Sequence, residues 1–317
     1  MDLSVVIPVY NEDESLQELS EWIERVCTSN KISFEIIFID DGSHDSSWEK
    51  IAGLSLEKRF IKGIRFRRNY GKAAALHTGF SESAGDVVIT MDSDLQDSPD
   101  EIPELVRMIR EDGYDLVSGW KKKRYDPFIK RFTSRFYNGT ARISSGIKLH
   151  DFNCGLKAYS NEVVKSIEVF GEMHRYIPML AKEAGFRKIG EKVVEHRARK
   201  YGVTKYGLDR FVKGYLDLLT IGFITRFGKN PMHLFGSLGT LMFIIGFIMA
   251  SYLGIRKLVL MHQHMRVPLV TESPFFFISL TVMVIGSILF LTGFLGELVN
   301  RTSSERNCYL IKEKVNV

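Results

Sequence analysis

Asp92-Ser93-Asp94 follows directly on the apolar run Val87-Val88-Ile89-Thr90-Met91. That run is short and rich in β-branched residues, so it reads as a buried strand with two carboxylates where it stops. Two like charges at one mouth are costly unless a cation or a hydrogen-bonding ligand sits between them. Mg²⁺ suits the arrangement, because it takes oxygen ligands, keeps waters, and is shared between carboxylates and substrate phosphates. The same triplet also fits a solvated acidic turn. Three other segments carry comparable chemistry: Pro8-Val9-Tyr10-Asn11-Glu12, Asp40-Asp41-Gly42-Ser43 and Arg67-Arg68-Asn69-Tyr70-Gly71-Lys72.

Each of these segments follows an expected strand. Leu3–Ile7, Phe34–Ile39, Ile61–Phe66 and the Val87 run alternate with helical spacing over 14–27, 46–56 and 72–83. A helix over 99–111 and a strand over 115–119 continue the pattern. Apolar strands alternating with helices predict a mostly parallel sheet covered on both faces. Ligands of such sheets bind beyond the carboxyl ends of the strands, which is where the four polar segments fall.

The chain has 317 residues, a net charge of +5 and 45% hydrophobic residues. Two runs, 232–255 and 274–296, contain no Asp, Glu, Lys or Arg, and each reaches the length of about 20 residues that a bilayer core requires. Leu208, Phe211, Tyr215, Leu219 and Phe223 recur at helical spacing just before the first run. This predicts either a helix lying in the headgroup plane or one packed on the domain's own core. Met1-Asp2-Leu3 leads straight into the first strand, so the catalytic part is expected on the side of synthesis, with a cytoplasmic lean from the flanking basic residues. Cys27, Cys154 and Cys308 match no metal spacing and suggest a reducing compartment. Basic residues cluster between Lys121 and Lys213, which suits an anionic membrane surface or phosphorylated substrates. Charge alone leaves nucleic acid open, but the motifs argue for no nucleic-acid partner. His150, His174 and His196 read as structural or surface residues, and Trp22 and Trp48 as core.

Taken together, these motifs resemble family 2 glycosyltransferases with the GT-A fold, of the polyprenyl-phosphate glycosyltransferase type. The resemblance covers essentially the whole chain. It implies that Pro8, Tyr10 and Glu12 line a nucleoside pocket, that Asp41 accepts from the base, and that Lys72 lies beside the nucleotide. Asp92-Ser93-Asp94-Leu95-Gln96 matches the D-x-D motif, with Asp94 and Gln96 as ligands of Mg²⁺ or Mn²⁺ and Asp92 in support, and with Asp92 and Ser93 also against the nucleotide. Asp151 falls where the family has an acidic residue near the reacting carbon. Residues 199–206 resemble the family's R-x-x-G-x-S-K-Y segment, with Thr204 for Ser, giving Arg199 and Lys205 to the diphosphate.

The implied reaction is the inverting transfer of one sugar from a nucleotide-sugar donor, UDP-glucose by preference, to a polyprenyl phosphate at the cytoplasmic membrane face. UDP-N-acetylhexosamine, UDP-uronic acid and GDP-mannose are the alternative donors. Arg131 and Arg135 are four apart, near Phe128 and Phe132, and are the expected grip on the acceptor phosphate, with Arg124 third. Most of the lysines beside them, in the run Lys121-Lys122-Lys123-Arg124 and at Lys130, read as a solvated or lipid-facing patch. The expected organisation is a GT-A domain over 1–207, a juxtamembrane helix over 208–230, two transmembrane helices within 231–300 and a cytoplasmic tail over 301–317. A homo-oligomer packed through Phe275 to Leu295 is expected. A processive polysaccharide synthase would carry a Gln-x-x-Arg-Trp element, and a dinucleotide oxidoreductase would need G-x-G-x-x-G after the first strand. Neither occurs. A catalytically silent membrane scaffold would have no need of Asp41, Asp92, Asp94 and Asp151.

Overall fold

A computed structural model describes residues 1–122, 138–139, 142, 145–171, 173–197, 231–263, 269–302 and 311–316. The chain divides into two compact units, Met1–Leu218 with Arg306–Val317, and Leu219–Glu305. The expected helix over 208–230 and residues Arg124, Arg131, Arg135, Arg199 and Lys205 lie outside the described residues.

The first unit is built on strands β1 (Leu3–Val9), β2 (Phe34–Asp40), β3 (Ile61–Phe66), β4 (Val87–Thr90), β5 (Leu116–Trp120), β6 (Lys157–Ser160), β7 (Ile189–Val193) and β8 (Ile311–Val315). Their order in the sheet is β7-β5-β6-β4-β1-β2-β3-β8. The pairs β4–β1, β1–β2 and β2–β3 are parallel, as the alternating pattern predicts, and β5–β7 is parallel too. β6 enters antiparallel between β4 and β5. Helices α1 (Leu16–Ser29), α2 (Ser47–Glu57), α3 (Lys72–Glu82) and α4 (Ile102–Arg110) fill the crossovers of the parallel half.

Strand alternation assigns each side chain to a face. Ile36 and Phe38 of β2 join Leu3, Val5 and Ile7 of β1 in one core beneath Leu19 and Ile23 of α1 and Leu105 of α4. Ile37 and Ile39 point the other way, onto Ala74 and Ala75 of α3. α3 lies close to the sheet because its inner face is small: a Cβ on Gly79 would stand 2.2 Å from Val6 Cγ1. Trp22 and Trp48 are buried in the first core.

The segment expected as a C-terminal tail contains a strand, β8. It pairs antiparallel with β3, Gly63 opposite Val315 and Arg65 opposite Glu313. Lys314 reaches Glu82 at 2.6 Å, and Asn316 Nδ2 donates to the Ser55 carbonyl at 2.7 Å.

Helices α5 (Asn161–Ser166) and α6 (Ile177–Glu183) follow β6. The second unit contains α7 (Pro231–His262) and α8 (Pro274–Thr302), both long and apolar enough to cross a membrane. They pack antiparallel through small residues: a Cβ on Gly239 would meet the Gly286 carbonyl at 2.5 Å, and one on Gly246 the Ser279 carbonyl at 2.6 Å. Small residues allow this close backbone approach, which in lipid replaces the missing hydrophobic drive. Large side chains such as Phe247, Ile248, Phe277 and Leu291 are left facing outward.

Ending the chain at residue 310 should expose the β3 edge and remove the ladder bonds of β8. We expect a loss of about 3 kcal/mol, read as a melting point lower by about 6–12 °C for a unit of this size. Thermal unfolding of the full chain and the shortened chain in the same detergent measures it, and equal melting points would show that β8 adds no stability.

Candidate active site

The carboxyl ends of β1 and β2 are laced together side by side. Asn11 N–H donates to Ser43 Oγ at 3.0 Å, Glu12 N–H to Ser47 Oγ at 3.1 Å, and His44 N–H to Asn11 Oδ1 at 2.8 Å. Asn11 adopts a left-handed backbone, φ 54°, uncommon for a side-chain-bearing residue and typical of ligand loops. Pro8, Tyr10 and Glu12 thus stand on a fixed rim, with Tyr10 39% exposed.

Asp41 comes next along the rim and is 5% exposed. Its Oδ1 accepts from Tyr70 N–H at 2.7 Å and its Oδ2 from Gly71 N–H at 2.9 Å. Gly42 makes this reach possible: its φ is +73°, and a Cβ there would lie 2.5 Å from the Arg68 carbonyl carbon. Burial pushes the Asp41 carboxyl up to about 6, against the two amide bonds, with the charge of Asp40 adding to the rise. Asp40 is fully buried, takes Ser43 N–H at 2.8 Å and stands 3.3 Å from Arg65 Nε.

Lys72 is the first residue of α3, one step beyond Gly71, and its Nζ donates to Asp92 Oδ1. Asp92 therefore forms an ion pair in this structure. Burial pushes its carboxyl up, but Lys72, Lys121 and Lys157 together hold it well below the usual carboxylate range. Ser93 is buried, and Asp94 Oδ1 accepts from Gln96 N–H at 3.2 Å. Leu95 takes φ 60° with its side chain buried, so the loop turns sharply within the motif. Gln96 Nε2 donates to the Arg197 carbonyl at 3.4 Å and Arg197 N–H to the Gln96 carbonyl at 2.9 Å.

Asp92, Asp94 and Gln96 offer hard oxygen donors on one turn, a chemistry that fits Mg²⁺ or Mn²⁺. Among the described residues no group of three or more His, Cys, Asp or Glu side chains forms a metal cage. An ion here would complete its shell with water and phosphate oxygens, as Mg²⁺ commonly does.

Asp151 is 1% exposed. Its Oδ1 accepts from Asn153 N–H at 3.1 Å, and its carbonyl accepts from Ser118 Oγ at 3.1 Å.

Lys121 departs from the solvated basic patch expected of its run, because the buried carboxylate of Asp97 draws it inward. Lys121 reaches Asp97 at 2.7 Å in the interior, and Asp97 keeps its ammonium charged despite burial. Lys157 Nζ donates to the Cys154 carbonyl. A cavity of about 20 Å³ between Lys72, Thr90, Cys154, Lys157 and His174 has room for about one water and none for a sugar. Burial, with Lys72 nearby, pushes the His174 imidazole well down, in line with a structural role.

The chain is similar to known proteins in sequence and in fold. The family described as Glycosyl transferase family 2 matches residues 4–168. A dodecaprenyl-phosphate galacturonate synthase from Rhizobium johnstonii is 34% identical, over 95% of this chain and 88% of that one. An undecaprenyl-phosphate 4-deoxy-4-formamido-L-arabinose transferase from Pseudomonas aeruginosa is 38% identical, over 81% of this chain and 74% of that one. A glucosyl-3-phosphoglycerate synthase from Mycobacterium tuberculosis, crystallised with Mn²⁺, UDP-glucose and phosphoglyceric acid, superposes with a TM-score of 0.53. It is 20% identical over 71% of this chain and 79% of its own, so the likeness is one of fold.

The Asp41 carboxyl carries a pH signature. Its value in the folded chain, about 6, lies above the ordinary 3.8, so the folded state binds the proton more tightly. Its contribution to stability is therefore full below about pH 4 and is lost as the pH rises through 6, by up to about 3 kcal/mol. Denaturant titrations across this window should show the component in the native chain and lack it in Asp41→Asn. Identical pH slopes in the two proteins would contradict it.

Proposed function

The chain belongs to glycosyl transferase family 2, and from that premise we propose that it moves a single sugar from a UDP-activated donor to a polyprenyl phosphate. The observation that carries the reading is the run of polar loops at one edge of the sheet, from Asn11 through Asp41 to Lys72 and Asp92, joined by hydrogen bonds and an ion pair. Two relatives of polyprenyl-phosphate specificity, similar over most of the chain, support the acceptor.

In this reading Pro8, Tyr10 and Glu12 bound the nucleoside pocket and Asp41 faces the base. Asp94 and Gln96, with Asp92 in support, would hold Mg²⁺ or Mn²⁺, and Ser93 lies against the nucleotide. The ion, when bound, offsets the negative charge that grows on the departing diphosphate. Arg199 and Lys205 add to that neutralisation, and Arg131 and Arg135, with Arg124, grip the acceptor phosphate. An acceptor oxygen attacks the anomeric carbon as its bond to the diphosphate breaks, so configuration inverts and the nucleoside diphosphate leaves. The second pKa of a phosphate monoester is near 6, so the acceptor is largely dianionic at neutral pH and requires no strong base. With no strong base required, Asp151 orients the acceptor or stabilises an oxocarbenium-like centre in this reading.

UDP-glucose is the expected donor, and the galacturonate named for the Rhizobium relative favours a UDP-uronic acid as the second reading. The catalytic unit faces the cytoplasm in this proposal, with α7 and α8 as the two membrane spans and a homo-oligomer as the working form. The small residues between α7 and α8 already serve a contact inside one chain, so an oligomer would use the larger outward side chains of α8.

Membranes containing the protein, incubated with radiolabelled UDP-glucose, UDP-galacturonate, UDP-N-acetylhexosamine and GDP-mannose, should label one lipid-extractable product. Asp94→Asn should lower that transfer at least about a hundredfold, a loss typical of an electrostatic stabiliser of the transition state, with folding intact. Full turnover in excess EDTA would rule out the metal-dependent mechanism.

A further inference from the structure

Asp92 is half-buried and closely backed by the chain. Behind it stands Gly155, where a Cβ would lie 2.4 Å from Asp92 Oδ2. Gly155 is fixed in turn, because Thr90 Oγ1 donates to its carbonyl at 2.9 Å. The carboxylate cannot retreat. Two of the lysines nearby are committed elsewhere, Lys121 to Asp97 and Lys157 to the Cys154 carbonyl. Lys72 holds the remaining face, and the side chains of Lys72 and Asp92 are each 34% exposed, so the pair looks out toward the open loops.

A divalent ion approaching Asp92 meets an ammonium group already seated there. Two cations on one half-buried carboxylate repel strongly, more so than in water. Lysine suits a movable role: its charge is a compact point on a flexible four-carbon stem with three donors. The stem is anchored where movement would be felt, since Lys72 follows the Tyr70–Gly71 amides that Asp41 holds.

We propose that Lys72 is a tethered stand-in for the metal ion, holding Asp92 in the nucleotide-free site and passing to the donor's diphosphate when the ion arrives. The exchange keeps each anion paired with one cation throughout. It makes metal binding weak until a diphosphate is present to receive Lys72, so metal and donor bind cooperatively. The handover rests on the donor reading given above, while the competition between Lys72 and the ion does not.

The test is Mn²⁺ affinity of the full-length chain in detergent, followed by the electron paramagnetic resonance signal of free Mn²⁺. Without nucleotide, Lys72→Met should bind Mn²⁺ at least about threefold more tightly than the native chain, a modest change in free energy, and Lys72→Arg should not. With UDP present the order should reverse, and Lys72→Met should lose about tenfold in affinity for UDP while UMP affinity stays within about threefold. Lys72→Gln, neutral and polar, replaces Lys72→Met if the latter does not fold. Mn²⁺ affinity that is unchanged or weaker in the neutral variants overturns the proposal. If neither UDP nor GDP binds the native chain, the donor reading fails and the handover with it. A tighter Mn²⁺ affinity in the variants would still establish the competition.

Discussion

A single carboxylate, Asp41, taking two backbone amides sets the geometry of the loop edge. The bonds from Tyr70 and Gly71 draw the β3–α3 loop against the end of β2. That closeness excludes any side chain at position 42 and fixes the start of α3, and with it the reach of Lys72 to Asp92. The rim that would hold a nucleoside and the turn that would hold a metal are thus parts of one connected body. A buried carboxylate without such partners would be expensive to maintain.

The opposite end of the sheet is fastened by another carboxylate with the reverse electrostatic outcome. Glu35, at the start of β2, accepts from Ser4 Oγ at 2.5 Å and Ala84 N–H at 2.8 Å, and pairs with Lys62 at 2.9 Å. Burial pushes it up, as it does Asp41, but Ser4 and Lys62 outweigh burial and hold it below its ordinary value. Asp41 has amides and a neighbouring anion, with no cation among the causes of its shift. Glu35 therefore favours folding above its ordinary range and loses that contribution as pH falls, whereas Asp41 behaves the other way. The Glu35 end holds its charge firmly, and the Asp41 end leaves its charge poised.

The parallel half of the fold was legible because β1, β2 and β4 are mostly apolar and buried on both faces, while Ile61, Ile64 and Phe66 mark β3 despite Lys62 and Arg65. β1, β2 and β3, and the four polar loops after the first four strands, stood out for that reason. β6 was not legible: Lys157-Ala158-Tyr159-Ser160 is four residues long and includes a buried lysine that no hydrophobic pattern marks. β7 is a largely polar edge strand, and β8 pairs with a partner some 250 residues earlier, a separation local reasoning does not span. In the site, Asp41, Lys72 and Asp92 were visible as charged residues at strand ends. Their mutual bonds were not, nor was the need for glycine at 155, because each arises from backbone proximity that appears only on folding.

β8 has one more consequence. The chain leaves the sheet-bearing unit, forms α7 and α8, and then returns to complete that unit's edge. A segment that hydrogen-bonds to β3 must lie in the same aqueous compartment as β3. However many helices cross the bilayer between these two points, the number of crossings must therefore be even. Edge pairing thus imposes a parity rule on membrane topology, one that does not depend on counting positive charges in the connecting loop.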